Sequence, residues 1–352
     1  MRALLLAGGH GTRLRPITHT NSKQLIPVAN KPILFYGLEA IARAGIREVC
    51  IIVGDTEQEI RGAVGDGSDW NLDVTYVRQD APLGLAHAVL AARPCLEGEP
   101  FLMYLGDNLV REGLESFVRT FEENRPEAQI FLVKVPDPER FGVAVLEEDR
   151  VVQLVEKPTE HISDLAMSGV YVFTPAIFEA ASAIAPSWRG ELEITDAIQY
   201  LIDHGYSVRA EHITDWWKDT GKLEDLLEAN RFVLNDQERQ IDGDVDAGSH
   251  VVGDVRIEAG AVVRDSVVRG PAAIAAGCVI EHSIIDPWTS IHVDTYIENS
   301  EIGDSIVMAE CHISEARRIR ESLIGRGVRV ARADGSSSLQ LMVGDNCAIT
   351  LP

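Results

Sequence analysis

Two cations follow closely behind a glycine-rich turn at the start of this chain. LLLAGGHGTRLRPIT carries Arg13, and the following SKQL carries Lys23 and Gln24. An apolar strand running into Gly8, Gly9 and Gly11 offers backbone N–H groups, and Thr12 adds a hydroxyl. N–H groups plus two cations are what a polyphosphate of several charges requires. A dinucleotide turn fits poorly, because Leu14 stands where that fingerprint needs its third glycine. A kinase-type P-loop fits no better, since no GK[ST] follows. A tight strand-to-loop turn with surface cations has the same short pattern.

Further along, FLMYLGDN puts Asp107 and Asn108 just after a buried apolar run, where an α/β sheet presents its ligands. Asp107 also suits a simple turn. Asp219, in WWKDTG ahead of an amphipathic segment, has the type and place of a helix N-cap as well as of a ligand. VVQLVEKP sets Glu156 beside Lys157, by themselves a solvated charge pair ahead of a proline turn. Gln79 and Gly84 in QDAPLGLAHAV read equally well as a loop and helix start. Glu193 in RGELEITDAI has the alternative of capping the next helix. Only six of the 32 basic residues are lysine, and Lys23 and Lys157 are among them. A chain that otherwise writes positive charge as arginine keeps lysine where a compact point charge is useful.

The elements that must position these residues alternate. RALLLA from Arg2, EVCIIV from Glu48 and FLMYL from Phe101 are short, continuous apolar runs, as buried parallel strands are. Between and after them lie helical segments: KPILFYGLEAIARAG with Gly45 as its stop, GLAHAVLAA from Gly84, and REGLESFVRTFEEN from Arg111. The rhythm predicts an α/β fold with a doubly wound sheet. From about Phe131 to Tyr206 the strands crowd together (IFLVKV, GVAVL, VVQLVE, GVYVFT), predicting a partly antiparallel lobe for a second ligand. GKLEDLLEANRFVLND reads as an amphipathic helix closing this region.

From Ile241 the pattern changes. Aliphatic residues recur about every six positions: Val245, Val251, Ile257, Val263, Val268, Ile274, Ile280, Ile285, Ile291 and Ile297, then Ile313, Ile319, Ile324 and Val330. Such hexads mark a β-helix, three rungs to a coil. Val245 to Val263, Val263 to Ile280 and Ile280 to Ile297 each span one coil. The expected boundaries are 1–238 for the first domain, with the second-ligand lobe at about 131–220, and 239–352 for the β-helix.

The 352 residues carry a formal charge of -23, which argues against nucleic acid or an anionic membrane as partner. A small anionic substrate needs only a few focused cations. Cys50, Cys95, Cys278, Cys311 and Cys347 form no CxxC pair and read as reduced thiols in a cytoplasmic protein. The first apolar run dies at Gly8, too short for a signal peptide.

LAGGHGTRLRPIT followed by SKQLIPVANKPILFYGLEAI resembles the sugar-phosphate nucleotidyltransferases, and closely the glucose-1-phosphate thymidylyltransferases. Gln24 fits the thymidylyl and uridylyl members, which differ here from those with proline. The added hexads resemble the long form found in bacterial deoxysugar pathways, with a left-handed parallel β-helix. The resemblance implies dTTP bound by Gly8, Gly9, Gly11, Thr12, Arg13, Lys23, Gln24, Gln79, Gly84 and Asp107, with Gln79 reading the base and Gly84 letting backbone approach the ring. It implies glucose 1-phosphate bound by Asn108, Gly142, Glu156, Lys157, Val170, Tyr171 and Glu193, Gly169 lying in the same MSGVYVF segment. It also implies Mg²⁺ on Asp107 and Asp219.

On this reading Arg13, Lys23, Asp107, Lys157 and Asp219 carry an in-line attack of a sugar-phosphate oxygen on the α-phosphorus, pyrophosphate leaving. The same chemistry with UTP or another sugar 1-phosphate is the near alternative. A second is acyl transfer on the β-helix, with His250, His282, His292 or His312 as base, and a third is a catalytically silent sugar-nucleotide sensor. The β-helix also leads us to expect a homo-oligomer, since flat solenoid faces and uncapped ends favour self-association.

Overall fold

The computed structural model describes residues 1–9, 11–19, 22–96, 98–148, 150–332, 341–345 and 348–351. Cys347 lies outside them. The chain packs as two compact units: Met1–His10 with Leu34–Asp219, and Gly11–Ile33 with Thr220–Pro352. Division by packing therefore differs from division by strand pattern, because an N-terminal loop and the last amphipathic helix pack with the β-helix.

The strands in chain order are β1 (Arg2–Leu6), β2 (Pro27–Val28), β3 (Lys31–Pro32), β4 (Glu48–Val53), β5 (Asp73–Arg78), β6 (Phe101–Leu105) and β7 (Asn108–Val110). There follow β8 (Ala128–Lys134), β9 (Gly142–Glu147), β10 (Arg150–Glu156), β11 (Leu165–Phe173), β12 (Val208–His212) and β13 (Trp217–Asp219). The helices are α1 (Ile33–Arg43), α2 (Glu57–Val64), α3 (Leu85–Leu96), α4 (Leu114–Asn124), α5 (Ala176–Ala183), α6 (Ile194–Asp203) and α7 (Leu223–Asn235).

In the first unit one nine-stranded sheet runs β5-β4-β1-β6-β11-β8-β12-β10-β9. The first four strands are parallel, and β11 enters antiparallel to β6 and β8. This is the expected mixed sheet. Continuous apolar strands such as Ala3–Leu5 are wholly buried, because helices cover both faces. The core joins Leu4, Cys50, Val89, Phe101, Ile130, Tyr171 and Ile198, each worth roughly 1.5–3 kcal/mol of apolar burial for the larger aliphatic and aromatic side chains.

One expectation is overturned here. Cys50 on β4 and Cys95 on α3 are joined as a disulfide, their Cα atoms 6.5 Å apart and within bridging range. Sequence spacing hid the pair, since strand and helix meet only through the sheet packing. Cys278 and Cys311 are free, as expected, and both are buried.

In the second unit the described C-terminal strands form three parallel sheets of seven, seven and five strands. Register runs Ile257↔Ile274↔Ile291 on one face, Val263↔Ile280↔Ile297 on the next and Val268↔Ile285↔Ile302 on the third. Ile302 and Val307, absent from the hexad count, fill the gap between Ile297 and Ile313 and are fully buried. One corner column needs left-handed backbone and is occupied by Gly260, Gly277, Asp294, Glu310 and Gly327. A second repeat escaped the reading: Ser249, Ser266, Ser283 and Ser300 each accept, through Oγ, the backbone N–H of the coil below, at 3.0–3.1 Å. Among the described residues no helix is long and apolar enough to cross a membrane.

Candidate active site

At the carboxyl ends of the parallel strands the backbones close up. A Cβ on Gly54 would lie 3.0 Å from the Gly8 carbonyl, and one on Gly106 would lie 2.6 Å from the Leu6 carbonyl. Only bare backbone fits, and Asp107 follows at once. Asn108 Nδ2 donates to Asp107 Oδ1 at 2.9 Å, while the buried Asn108 Oδ1 has no hydrogen-bond partner among the described residues. Antiparallel pairing of β7 with β13 sets Asp219 opposite Asn108. The backbone of a second aspartate, distant in sequence, thus lies beside the Asp107–Asn108 step. The N-cap reading of Asp219 fails, since α7 begins after Lys222. Carboxylate and amide oxygens are the donor types that a hard divalent cation takes, its remaining positions being filled by phosphate and water.

The second-lobe residues converge on Glu156, at the end of β10. Its Oε1 lies 3.5 Å from Lys157 Nζ and 3.3 Å from Arg189 Nη1, and Thr195 Oγ1 approaches Oε2 at 3.4 Å. Burial raises the Glu156 carboxyl above the ordinary value, against the opposing pull of Lys157 and Arg189 and with the help of Glu193. A Cβ on Gly142 would strike the Thr195 methyl at 2.5 Å and sit 3.1 Å from Glu156 Oε2. Glu193 occupies the N-cap position of α6, but its side chain makes no cap bond. Its Oε1 instead accepts from Ser187 Oγ at 2.8 Å and Arg189 Nη1 at 3.3 Å.

Arg189 is the residue the sequence reading missed. It links Glu156, Glu191 and Glu193, and with Lys157 it makes two cations around one half-buried carboxylate. Its signal was present in RGELEITDAI, but attention went to the glutamate. Val170 and Tyr171 are buried in β11, Tyr171 stacked on Phe173 with ring centroids 5.5 Å apart. Their side chains face the core, so a ligand would meet this segment through its backbone. Gly169, at φ +79°, brings that backbone to Asn108, whose Nδ2 would be 3.1 Å from an added Cβ.

Gln79 Nε2 is 3.1 Å from the Gly84 carbonyl and 3.0 Å from His87 Nδ1, so the amide is oriented by its own loop. Gly84 has φ +104°, and a Cβ there would run into the backbone N and O of Leu192, the nitrogen at 2.7 Å. The structure thus gives this glycine a reason other than the approach of a base: Leu192 occupies its open face. Leu192 N donates to Leu83 O at 2.7 Å and Ala86 N to Leu192 O at 3.0 Å. The Gln79 loop and the Glu193 loop are one hydrogen-bonded structure.

In the second unit Gly11 adopts φ +59°, with Lys23 Cβ and Thr18 Cγ2 each 2.9 Å from where its own Cβ would be. Arg13, on a 3₁₀ turn, and Thr12 are exposed, whereas Lys23 and Gln24 are buried. Gln24 Oε1 accepts from Ser22 Oγ at 2.8 Å. On the β-helix His312 stacks on Tyr296 at 4.8 Å, and His282 Nδ1 is 3.9 Å from Asp265. His292 is half-buried and held below its usual value by burial, and His250 is exposed.

A mixed α/β sheet whose first strand runs into a glycine-rich turn, with cations bordering its second lobe, is a frame suited to a nucleotide-transferring enzyme. The chain belongs to the nucleotidyl transferase family, whose pattern matches residues 2–236. Within it, the chain is 54% identical over 348 residues to the glucose-1-phosphate thymidylyltransferase of Streptomyces griseus, covering 98% of each. It is 53% identical over 354 residues to that of Streptomyces antibioticus, covering 100% of this chain and 99% of the relative. A Bacillus anthracis structure assigned as a glucose-1-phosphate thymidylyltransferase, in complex with sucrose, superposes with a TM-score of 0.63. It is 31% identical and covers 66% of this chain and 94% of that one.

Proposed function

We propose that the enzyme transfers a deoxythymidylyl group from dTTP to glucose 1-phosphate, giving dTDP-glucose and pyrophosphate. The observation that carries this reading is the Leu83–Leu192 link, which makes the Gln79 loop and the Glu156–Arg189–Glu193 cluster one structure, a base reader joined to a sugar-phosphate cradle. Full-length similarity to enzymes of that name supports it.

The sugar-phosphate oxygen is already an anion, so attack at the α-phosphorus needs neither a covalent intermediate nor a general base. Catalysis is then placement and charge neutralisation. Lys157 and Arg189 hold the attacking phosphate, and Glu156 and Glu193 accept hydrogen bonds from the sugar hydroxyls. Gln79 donates to and accepts from the edge of thymine. Arg13 and Lys23 stabilise the α-phosphoryl oxygens and the departing pyrophosphate. Asp107 and Asp219 would hold Mg²⁺, which when bound neutralises phosphate charge. We read the protein as cytoplasmic, and its β-helix as a self-association module.

A matrix of dTTP, UTP, GTP and ATP against glucose, mannose and N-acetylglucosamine 1-phosphates, with magnesium and a pyrophosphate readout, tests this. The highest kcat/KM is expected for dTTP with glucose 1-phosphate. A larger value for another pair would replace the substrate assignment, and no pyrophosphate from any pair would remove the activity.

A further inference from the structure

The hairpin of β2 and β3 follows directly on Lys23 and Gln24, and Ile33 N closes its base by donating to Ile26 O at 3.2 Å. Its tip, Ala29 and Asn30, has both φ angles positive, at 47° and 65°. Left-handed backbone is strained for a residue with a Cβ, and such turns persist where neighbours over-determine them. The neighbours are on α7 and the β-helix. Ala29 N donates to Asn230 Oδ1 at 2.8 Å, and Asn30 Nδ2 donates to the Ile291 carbonyl at 3.0 Å.

Asn230 is fully buried, and both ends of its amide are used. Besides Ala29 N, its Oδ1 accepts Ser290 Oγ at 3.0 Å, and its Nδ2 donates to the Trp288 carbonyl at 2.9 Å. Thus one buried side chain joins the hairpin tip to two points of the β-helix. A further contact lies upstream in the same loop, where a Cβ on Gly344 would be 3.3 Å from Pro16 Cβ. The loop bearing Arg13, Lys23 and Gln24 is braced by the solenoid within its own packing unit.

We infer that Asn230 is a positioning residue for nucleotide binding, and that the β-helix, through Trp288 and Ser290, is a working part of the nucleotide site. The inference rests on the reading that residues 11–33 bind the triphosphate. Asn230 touches no substrate. It fixes the hairpin that fixes Lys23, and a buried amide bonded at both its oxygen and its nitrogen is held in one orientation. Small displacements of a binding group are costly, up to about 100-fold for roughly 1 Å.

The test measures dTTP dissociation constants with magnesium, and KM for glucose 1-phosphate, in the full chain. Asn230→Ala is expected to weaken dTTP about tenfold while KM for glucose 1-phosphate stays within about twofold. Ser290→Ala, which removes one hydroxyl and keeps the fold if Asn230→Ala does not, should weaken dTTP in the same direction by a smaller factor. Unchanged dTTP binding in both variants, or equal weakening of both substrates with a lowered Tm, would reduce Asn230 to a structural residue and overturn the inference. Lys23→Ala separates the two levels. If it leaves dTTP binding intact, the nucleotide assignment of the loop falls and the inference with it. If it weakens dTTP where Asn230→Ala does not, only the brace falls.

Discussion

The Leu192 amide donates to the Leu83 carbonyl at 2.7 Å, and this bond ties the loop of Gln79 to the loop of Arg189. Two segments more than a hundred residues apart in sequence are thereby joined by backbone hydrogen bonds. Anything that forces Leu83 and Leu192 apart should disturb recognition of both substrates together.

Gly84→Ala does so directly. The new Cβ meets the Leu192 backbone, and φ +104° is unfavourable for alanine. A loss of roughly 2 kcal/mol or more is expected. Tm should fall, and KM should rise for dTTP and for glucose 1-phosphate alike. A variant with wild-type Tm would show that the loop relaxes freely.

Arg189→Ala is expected to raise KM for glucose 1-phosphate about tenfold or more, with dTTP binding nearly unchanged. The guanidinium forks between carboxylates, so Arg189→Lys should recover only part of the loss. Steady-state kinetics with each substrate varied in turn decides it. Equal effects on the two substrates would contradict a sugar-phosphate role.

Arg13 is exposed on its turn, so Arg13→Ala should fold normally. Its kcat is expected to drop by about 100-fold or more, as for removal of a group that meets developing charge. Circular dichroism and pyrophosphate release on the same preparation make the comparison. Activity close to wild type would remove Arg13 from the mechanism.

Glu156 supplies a pH signature. Burial raises its carboxyl above the ordinary 4.5, so the folded chain holds that proton more tightly than the unfolded one. The group therefore favours folding below the unfolded value, and this advantage is lost as pH rises through 4.5 and on through the higher folded value. Above both, the ionised carboxylate is a cost. Glu156→Gln cannot ionise, so its Tm relative to wild type should improve as pH rises from 4.5 through the higher folded value. Glucose 1-phosphate binding should weaken in the same variant. A Tm difference independent of pH would mean that Glu156 titrates alike in both states.

Much of the architecture could be read in advance because it is periodic. Val263, Ile280 and Ile297 recur at the coil length and end up stacked, since each coil must bury one aliphatic residue per face. The continuous apolar runs of β1, β4 and β6 could only be strands covered on both sides. Asp107 was legible because it ends such a strand.

What has no period stayed hidden. That Asp219 lies opposite Asn108, and not at the start of α7, came only with the β7–β13 ladder. Glu193 looked like a cap until its carboxylate was found on Ser187 and Arg189. Cys50 and Cys95 became a pair only when α3 packed on the sheet. By itself the sequence determined the strands, the coils and the types of charge available, because local sterics and burial dictate these. Which charges share a carboxylate, why Gly84 must lack a side chain, and that Asn230 ties a hairpin to a solenoid were decided by the tertiary structure alone. Each depends on a long-range contact whose partners carry no mark of one another in the chain.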